Sequence, residues 1–262
     1  MIAASKMRRA QESALHGRPY ADGIKNLLAN LAAQPPDDAD SLHPLLQRRE
    51  INNVEIVHIT PDRGLTGGLN ANVNRAGGEY VASENAHVKV IAAGRKGRDF
   101  MVRMGVDVRA VFTEMADRPA ITDISAIARL VIDDYTEGLV DAVYLVYAKF
   151  VSTTVQQPQV EPLLPVVPAE ISPQEAVGYI YEPESASVLS ALLPRFVEIE
   201  IYHAVLESIA SEHSARMVAM RNATDNATEM VGDLTLVMNK ARQESITTEL
   251  LDIIGGAAAV EG

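Results

Sequence analysis

Apolar positions recur with two different periods along this chain, and the change of period marks how it is organised. Alternating or continuous apolar runs at 54–60 (VEIVHIT), 87–93 (HVKVIAA), 106–112 (VDVRAVF) and 141–150 (DAVYLVYAKF) predict strands. Helices are predicted near 95–104 and 121–137. Two proline-bearing loops bracket this middle segment. The first is QPPDDADSLHP at 34–44, and the second runs from Gln156 to Glu175. In the second, Pro158, Pro162, Pro165, Pro168 and Pro173 space out short extended pieces.

Outside the loops the period becomes helical. Stepping alternately by four and three from Leu206 meets Ala210, His213, Met217, Met220, Thr224, Ala227, Val231, Leu234, Met238 and Ala241. Most are apolar and many are small, as at a close helix–helix seam. The same stepping from Ala3 meets Met7, Ala10, Ala14, Gly17, Ala21, Ile24, Leu28 and Leu31, with Pro19 set to perturb the helix locally. No proline follows Pro194, so a helix over 195–260 is predicted, about 100 Å long at 1.5 Å per residue. A helix of that length needs another long element beside it. The expected fold is therefore α/β: a long antiparallel coiled coil of N- and C-terminal helices with an inserted Rossmann-like α/β domain. The divisions read as 1–34, 45–185 and 186–262.

Composition narrows the function by exclusion. The net charge of −12 argues against nucleic acid, which needs a basic face. The chain has no cysteine, so disulfides, thiol catalysis and thiolate metal sites are excluded. The N-terminus lacks the apolar core of a secretory signal, and no apolar run reaches the ~20 residues of a membrane span, so a soluble cytosolic chain is the default reading. The histidines His16, His43, His58, His87, His203 and His213 form no metal-ligand pair. Asp37, Asp38 and Asp40 lack the glycine and closing glutamate of a calcium loop. The sequons at Asn222 and Asn226 lie in a predicted helix and read as chance.

The stretch PDRGLTGGLNAN at 61–72 follows a strand, as phosphate loops do. It matches neither GxGxxG nor a loop ending in GK[ST]. Arg63 and free loop amides could hold an anion, but a tight strand-to-helix turn with close backbone packing is favoured. The C-terminus, ITTELLDIIGGAAAVEG, places an apolar tip beyond a charged belt, and a tip of that kind calls for a partner.

These residues resemble a known family, the gamma subunit of the F-type ATP synthase. AASKMRRAQ, GRPYA, TPDRGLTGGLNAN, GRKG at 94–97 and YIYEPE at 179–184 carry the likeness. SEHSARMVAMRNATDNA and NKARQESITTELLDIIGGAAA complete it, and this C-terminal pair is the most specific. The resemblance implies a central-stalk rotor coupling ion flow to ATP synthesis. Its partners would be the alpha and beta subunits of a hexameric ring, the epsilon subunit and the c-subunit ring. It implies no catalytic residue, no cofactor and no metal in this chain. Localisation would be peripheral, on the cytoplasmic face of a bacterial plasma membrane.

By the same resemblance, Arg242, Gln243, Thr247 and Glu249 would meet the beta-subunit catch loops. Lys6, Arg8 and Arg9 would face acidic beta-subunit levers, and Ile253, Ile254 and Val260 would form a bearing tip. Three departures from the family stand out. The first helix is expected to be shorter by ~25 residues, or about 35–40 Å. Glu244 and Thr248 replace the usual alanine and glutamine, and RAGGEYVASENA at 75–86 is a poor helix sequence. Two alternatives stay open on the residues alone. One is a Rossmann-like nucleotide- or small-molecule-binding protein with dimerising terminal helices, and the other is a coiled-coil scaffold.

Overall fold

The computed structural model describes residues 43–167 and 185–261, with Ser5, Met7, Arg8, Glu12, Pro19, Gly23, Ile24, residues 26–28 and Asn30 upstream, all helical. Most of the 34–44 loop and the YIYEPE motif lie outside the described residues, as does most of the N-terminal seam. The chain divides into two units, Met1–Val218 and Ala219–Gly262.

The first unit is built on a five-stranded sheet. Its elements in order are β1 (Asn53–Ile59), α1 (Leu69–Ser83), β2 (His87–Ala93), α2 (Arg95–Met104), β3 (Asp107–Phe112), α3 (Ile121–Thr136), β4 (Ala142–Phe150) and β5 (Gln156–Leu164). A last helix, α4 (Ser185–Glu261), begins in this unit. The strand order is β3-β2-β1-β4-β5, parallel except for the antiparallel edge strand β5. That is the doubly wound order of a Rossmann-like sheet as far as its first five strands.

Alternation sorts the strands between two cores. Val57, Ile59, Ile91, Ala93, Val143, Leu145 and Tyr147 face α3 and the start of α4, where Leu193, Val197, Ile201 and Val205 are buried with Ile24 and Leu28. Val54, Ile56, Val88, Val90, Ala92 and Val146 face α1 and α2, through Leu69, Val73 and Met101. Parallel strands buried on both faces read as near-continuous apolar runs, which explains why VEIVHIT and HVKVIAA stand out in the sequence.

Three expectations change. The stretch 156–164 is a strand, although Pro158 and Pro162 lie within it, opposite Ala148 and Tyr144 of β4. An edge strand tolerates proline because one side of it carries no ladder. The last helix starts at Ser185, next to the division read at 186, and runs through Pro194, whereas the expected uninterrupted stretch begins only at 195. Burial of Leu193, Phe196 and Val197 outweighs the missing amide hydrogen bond. The unpromising RAGGEYVAS forms most of α1, because Gly77 and Gly78 let it approach its neighbours. A Cβ on Gly77 would stand 3.0 Å from His58 and from Met101, and one on Gly78 3.1 Å from Met104 and Phe100.

The second unit is α4 alone. From Met220 to residue 257 its side chains are exposed, including Met230, Val231, Leu234, Leu236, Val237 and Met238, each 60% exposed or more. No described helix is long and apolar enough to cross a membrane.

One carboxyl group, Glu55, is buried in the first unit beside a second one, Asp134. Both Glu55 carboxyl oxygens on β1 are enclosed. Burial, and then the neighbouring Asp134 carboxylate, pushes the Glu55 pKa from 4.5 up to about 8. Asp134 itself is held by two hydrogen bonds from Arg109, at 3.0 and 3.2 Å. The folded protein thus keeps a proton on Glu55 that the unfolded chain releases near pH 4.5. The stability that Glu55 contributes is greatest below that value and is lost as pH rises through about 8. Glu55→Gln is expected to raise the thermal midpoint at about pH 9, by on the order of 1–3 kcal/mol of stability, with little gain near pH 4. Melting curves across pH check this, and a gain independent of pH would disprove it.

Candidate functional site

In a doubly wound sheet the ligand crevice opens where strand order reverses, at the carboxyl ends of the strands. Here that point lies between β1 and β4. The two strands pair from Val54↔Ala142 to His58↔Val146, and β4 then continues to Phe150 while β1 turns away. The groups of Ala148 and Phe150 are left beyond the end of the ladder, and buried backbone groups need partners.

Helix α4 supplies them. The Phe150 amide donates to Glu207 Oε2 at 2.9 Å, and the Ala148 amide to Ser208 Oγ at 3.4 Å. Ser211 Oγ donates to the Ala148 carbonyl at 3.0 Å, and Ser214 Oγ to the Thr153 carbonyl at 2.6 Å. Glu207, Ser208, Ser211 and Ser214 are all buried. The same helix has Val205 in the core of one sheet face and Ala215 in that of the other, so it crosses the strand ends. What space remains there is about 40 Å³, bordered by Thr60, Asp62, Ser208 and Glu212. A bound small molecule needs several hundred Å³. A larger cleft of about 420 Å³ is lined by Asn74 and five residues of α2, including Lys96 and Arg98. Neither cavity is lined by Gly64–Gly68.

The glycine loop is a turn fixed from outside. Gly67 has φ +56°, a conformation that favours glycine, but no atom lies near a Cβ placed on Gly64 or Gly67. Arg216 of α4 donates to the Gly64 carbonyl at 3.3 Å and pairs with Glu212 at 2.6 Å. Asp62 accepts from the Arg95 amide at 2.9 Å and the Glu114 amide at 2.7 Å, tying three loops together. The close backbone packing expected of Gly64–Gly68 belongs instead to GRKG. A Cβ on Gly94 would lie 1.8 Å from the Thr60 carbonyl oxygen, and one on Gly97 2.5 Å from His58. The Gly97 amide donates to Thr60 Oγ1 at 2.7 Å. His58 is buried against Asn74 Oδ1 at 2.9 Å, and burial lowers its pKa to about 4, so it is a neutral core residue. Among the described residues no group of histidines and carboxylates could hold a metal.

The residues assigned to partner contacts fall on the exposed part of α4. Arg242, Gln243, Thr247 and Glu249 are exposed, and the helical period puts them on one side with Ile246, Leu250, Ile253 and Ile254. Ile253 and Ile254 are 68% and 63% exposed, while the Val260 side chain is outside those described. Upstream, Arg8 is exposed and pairs with Glu12 at 3.5 Å, and Lys6 and Arg9 lie outside the described residues. Five threonines (Thr224, Thr228, Thr235, Thr247 and Thr248) turn their hydroxyls back to carbonyls four residues earlier, at 2.7–3.0 Å. The exposed helix therefore shows methyl groups where the sequence shows hydroxyls. The stitch at Glu207, Ser208, Ser211 and Ser214 went unread in the sequence. Its signal is serines at three-residue spacing inside an apolar stripe.

Comparison with known proteins decides what this arrangement belongs to. A family model described as ATP synthase matches residues 1–260. The ATP synthase gamma chain of Dehalococcoides mccartyi is 56% identical over 260 residues, covering 99% of this chain and 91% of that one. The chain belongs to the ATP synthase gamma chain family. The gamma chain of Chloroflexus aurantiacus is 47% identical over 263 residues, with the same coverage of each chain. A chain of the Tetrahymena thermophila mitochondrial ATP synthase central stalk and c-ring structure shares the fold. Its TM-score is 0.64 at 22% identity, covering 86% of this chain and 96% of that one. Family membership supports the central-stalk rotor role over a nucleotide-binding protein with dimerising helices, and the filled crevice agrees.

The two sets of glycines should respond differently to substitution. Gly94→Ala is expected to cost more than about 4 kcal/mol, since the backbone must move. Gly64→Ala, with open space and an ordinary φ, should stay within about 1 kcal/mol. Urea denaturation of both variants distinguishes a turn fixed through Gly94 from a packed loop at Gly64.

Proposed function

We propose that this chain is the central-stalk rotor of an F-type ATP synthase, turned by ion flow through a membrane sector. It would drive the three beta subunits of an alpha/beta ring through successive conformations, while the ATP chemistry stays on those subunits. The observation that carries the reading is the exposed apolar helix of the second unit. A helix exposing Leu234, Leu236, Leu251, Ile253 and Ile254 among the described residues needs a surrounding partner. Its inward-turned threonine hydroxyls leave few directional bonds to resist turning.

Within that function, Arg242, Gln243, Thr247 and Glu249 meet the beta-subunit catch loops, Thr247 through its methyl group because its hydroxyl donates to the Gln243 carbonyl. Lys6, Arg8 and Arg9 face acidic beta-subunit segments, and Ile253, Ile254 and Val260 are the bearing tip. The first-unit domain meets the epsilon subunit and the c ring. The protein is peripheral to the membrane, on the cytoplasmic face of a bacterial cell. Residues 1–34 form the coiled-coil partner of 186–262, and 45–185 the domain between them.

Reconstitution tests the reading. Added to purified alpha and beta subunits, the chain should assemble with a hexamer and raise its ATP hydrolysis. A chain that never binds the hexamer refutes the rotor role. Arg242→Ala combined with Glu249→Ala should lower that stimulation about tenfold, a loss of about 1.4 kcal/mol of coupling. Both side chains are exposed, so the melting point should hold, and full stimulation by the double variant would remove these residues from the contact.

A further inference from the structure

The rotor reading leaves open where turning force passes between the α/β domain and the helix. Apolar contacts such as Leu193, Val197 and Ile201 against the sheet resist separation but resist sliding weakly, because burial is non-directional. Hydrogen bonds to fixed backbone groups resist sliding, since they weaken steeply when misaligned.

Such bonds cluster at the overhang of β4. Glu207 and Ser208 accept from the Phe150 and Ala148 amides, and Ser211 donates to the Ala148 carbonyl. Ser214 reaches the Thr153 carbonyl in the turn that follows. Arg216 adds the Gly64 carbonyl of the β1–α1 loop. Each partner is backbone, so the helix is registered to the frame of the sheet and not to replaceable side chains. The serines at 208, 211 and 214 recur every three residues, and Glu207 stands beside the first. Together they face the strand ends across two helical turns.

We propose that Glu207, Ser208, Ser211 and Ser214 form the torque-carrying anchor that locks α4 to the end of β4. This inference rests on the rotor reading. Breaking the anchor leaves assembly and unloaded turnover intact but lets the domain slip about the helix under load.

The test is single-molecule rotation of the full chain assembled with alpha and beta subunits. The chain lacks cysteine, so Val102→Cys, exposed on α2, gives one attachment point for a bead on the α/β domain. Glu207→Ala with Ser211→Ala removes two of the bonds, those to the Phe150 amide and the Ala148 carbonyl. Slippage at stall should rise about tenfold, with unloaded ATP hydrolysis unchanged. Glu207→Gln keeps an acceptor for the Phe150 amide and should stall like the unvaried chain. Ser214→Ala alone, a minimal truncation, gives an intermediate rise even if the double variant folds poorly. An unvaried chain that cannot turn the bead overturns the rotor reading. An unvaried chain that turns it, beside folded variants that slip no more often, overturns the anchor alone. Glu207→Gln slipping as often as the double variant also overturns it.

Discussion

A strand that outlasts its neighbour leaves backbone amides and carbonyls that must bond to something, and in this protein that debt falls on β4. β1 stops at Ile59, and the pairing with β4 ends at Val146, four residues short of Phe150. Glu207, Ser208 and Ser211 take the place of the missing strand segment. Much follows from that substitution. The helix must cross the carboxyl ends of the strands, it must carry small polar residues there, and its Arg216 comes within reach of the β1–α1 loop. The cost of burying four polar side chains is met because each has a backbone partner.

The same crossing settles the fate of the crevice. Doubly wound sheets bind nucleotides where strand order reverses, and this sheet has that reversal between β1 and β4. Helix α4 fills the place, leaving about 40 Å³. The architecture of a binding protein is thus kept while its cavity is given to an attachment. The glycines follow the same logic. Gly94 and Gly97 bring α2 against Thr60 and His58, which supports the strand ends from the other side.

Most of the sheet was legible in the sequence because β1, β2 and β4 are buried on both faces, and continuous apolar runs such as VEIVHIT cannot be solvated loops. β5 was not legible. Pro158 and Pro162 read as breakers, and only the pairing shows that they sit on an edge strand. The uninterrupted length of α4 was legible only from 195 for a related reason, since Pro194 lies inside the helix and is outvoted by Leu193, Phe196 and Val197 on the core. Leu206, Ala210 and His213 fit the heptad and are buried. The stepping passed over Ser208, Ser211 and Ser214 because a search for apolar periodicity discards serines. Glu55 was hidden as well, lying inside an apolar run with nothing to mark it as enclosed beside Asp134.

The helix changes its chemistry between the units, and that change follows from what each stretch must resist. Up to Arg216 it carries buried serines, Glu207 and His213, the last paired with the Asp117 carboxylate at 3.3 Å, and the bonds of the serines and Glu207 are directional and aimed at fixed backbone. Beyond Met220 its threonine hydroxyls are satisfied by its own carbonyls, and methyl and aliphatic groups stand exposed between its charged side chains. A contact made of hydrogen bonds holds one register and fails at the next. A contact made of apolar surface costs almost the same in every register, because it depends on area and not on angle. A shaft needs the first where it is gripped and the second where it turns, and α4 supplies both within one helix.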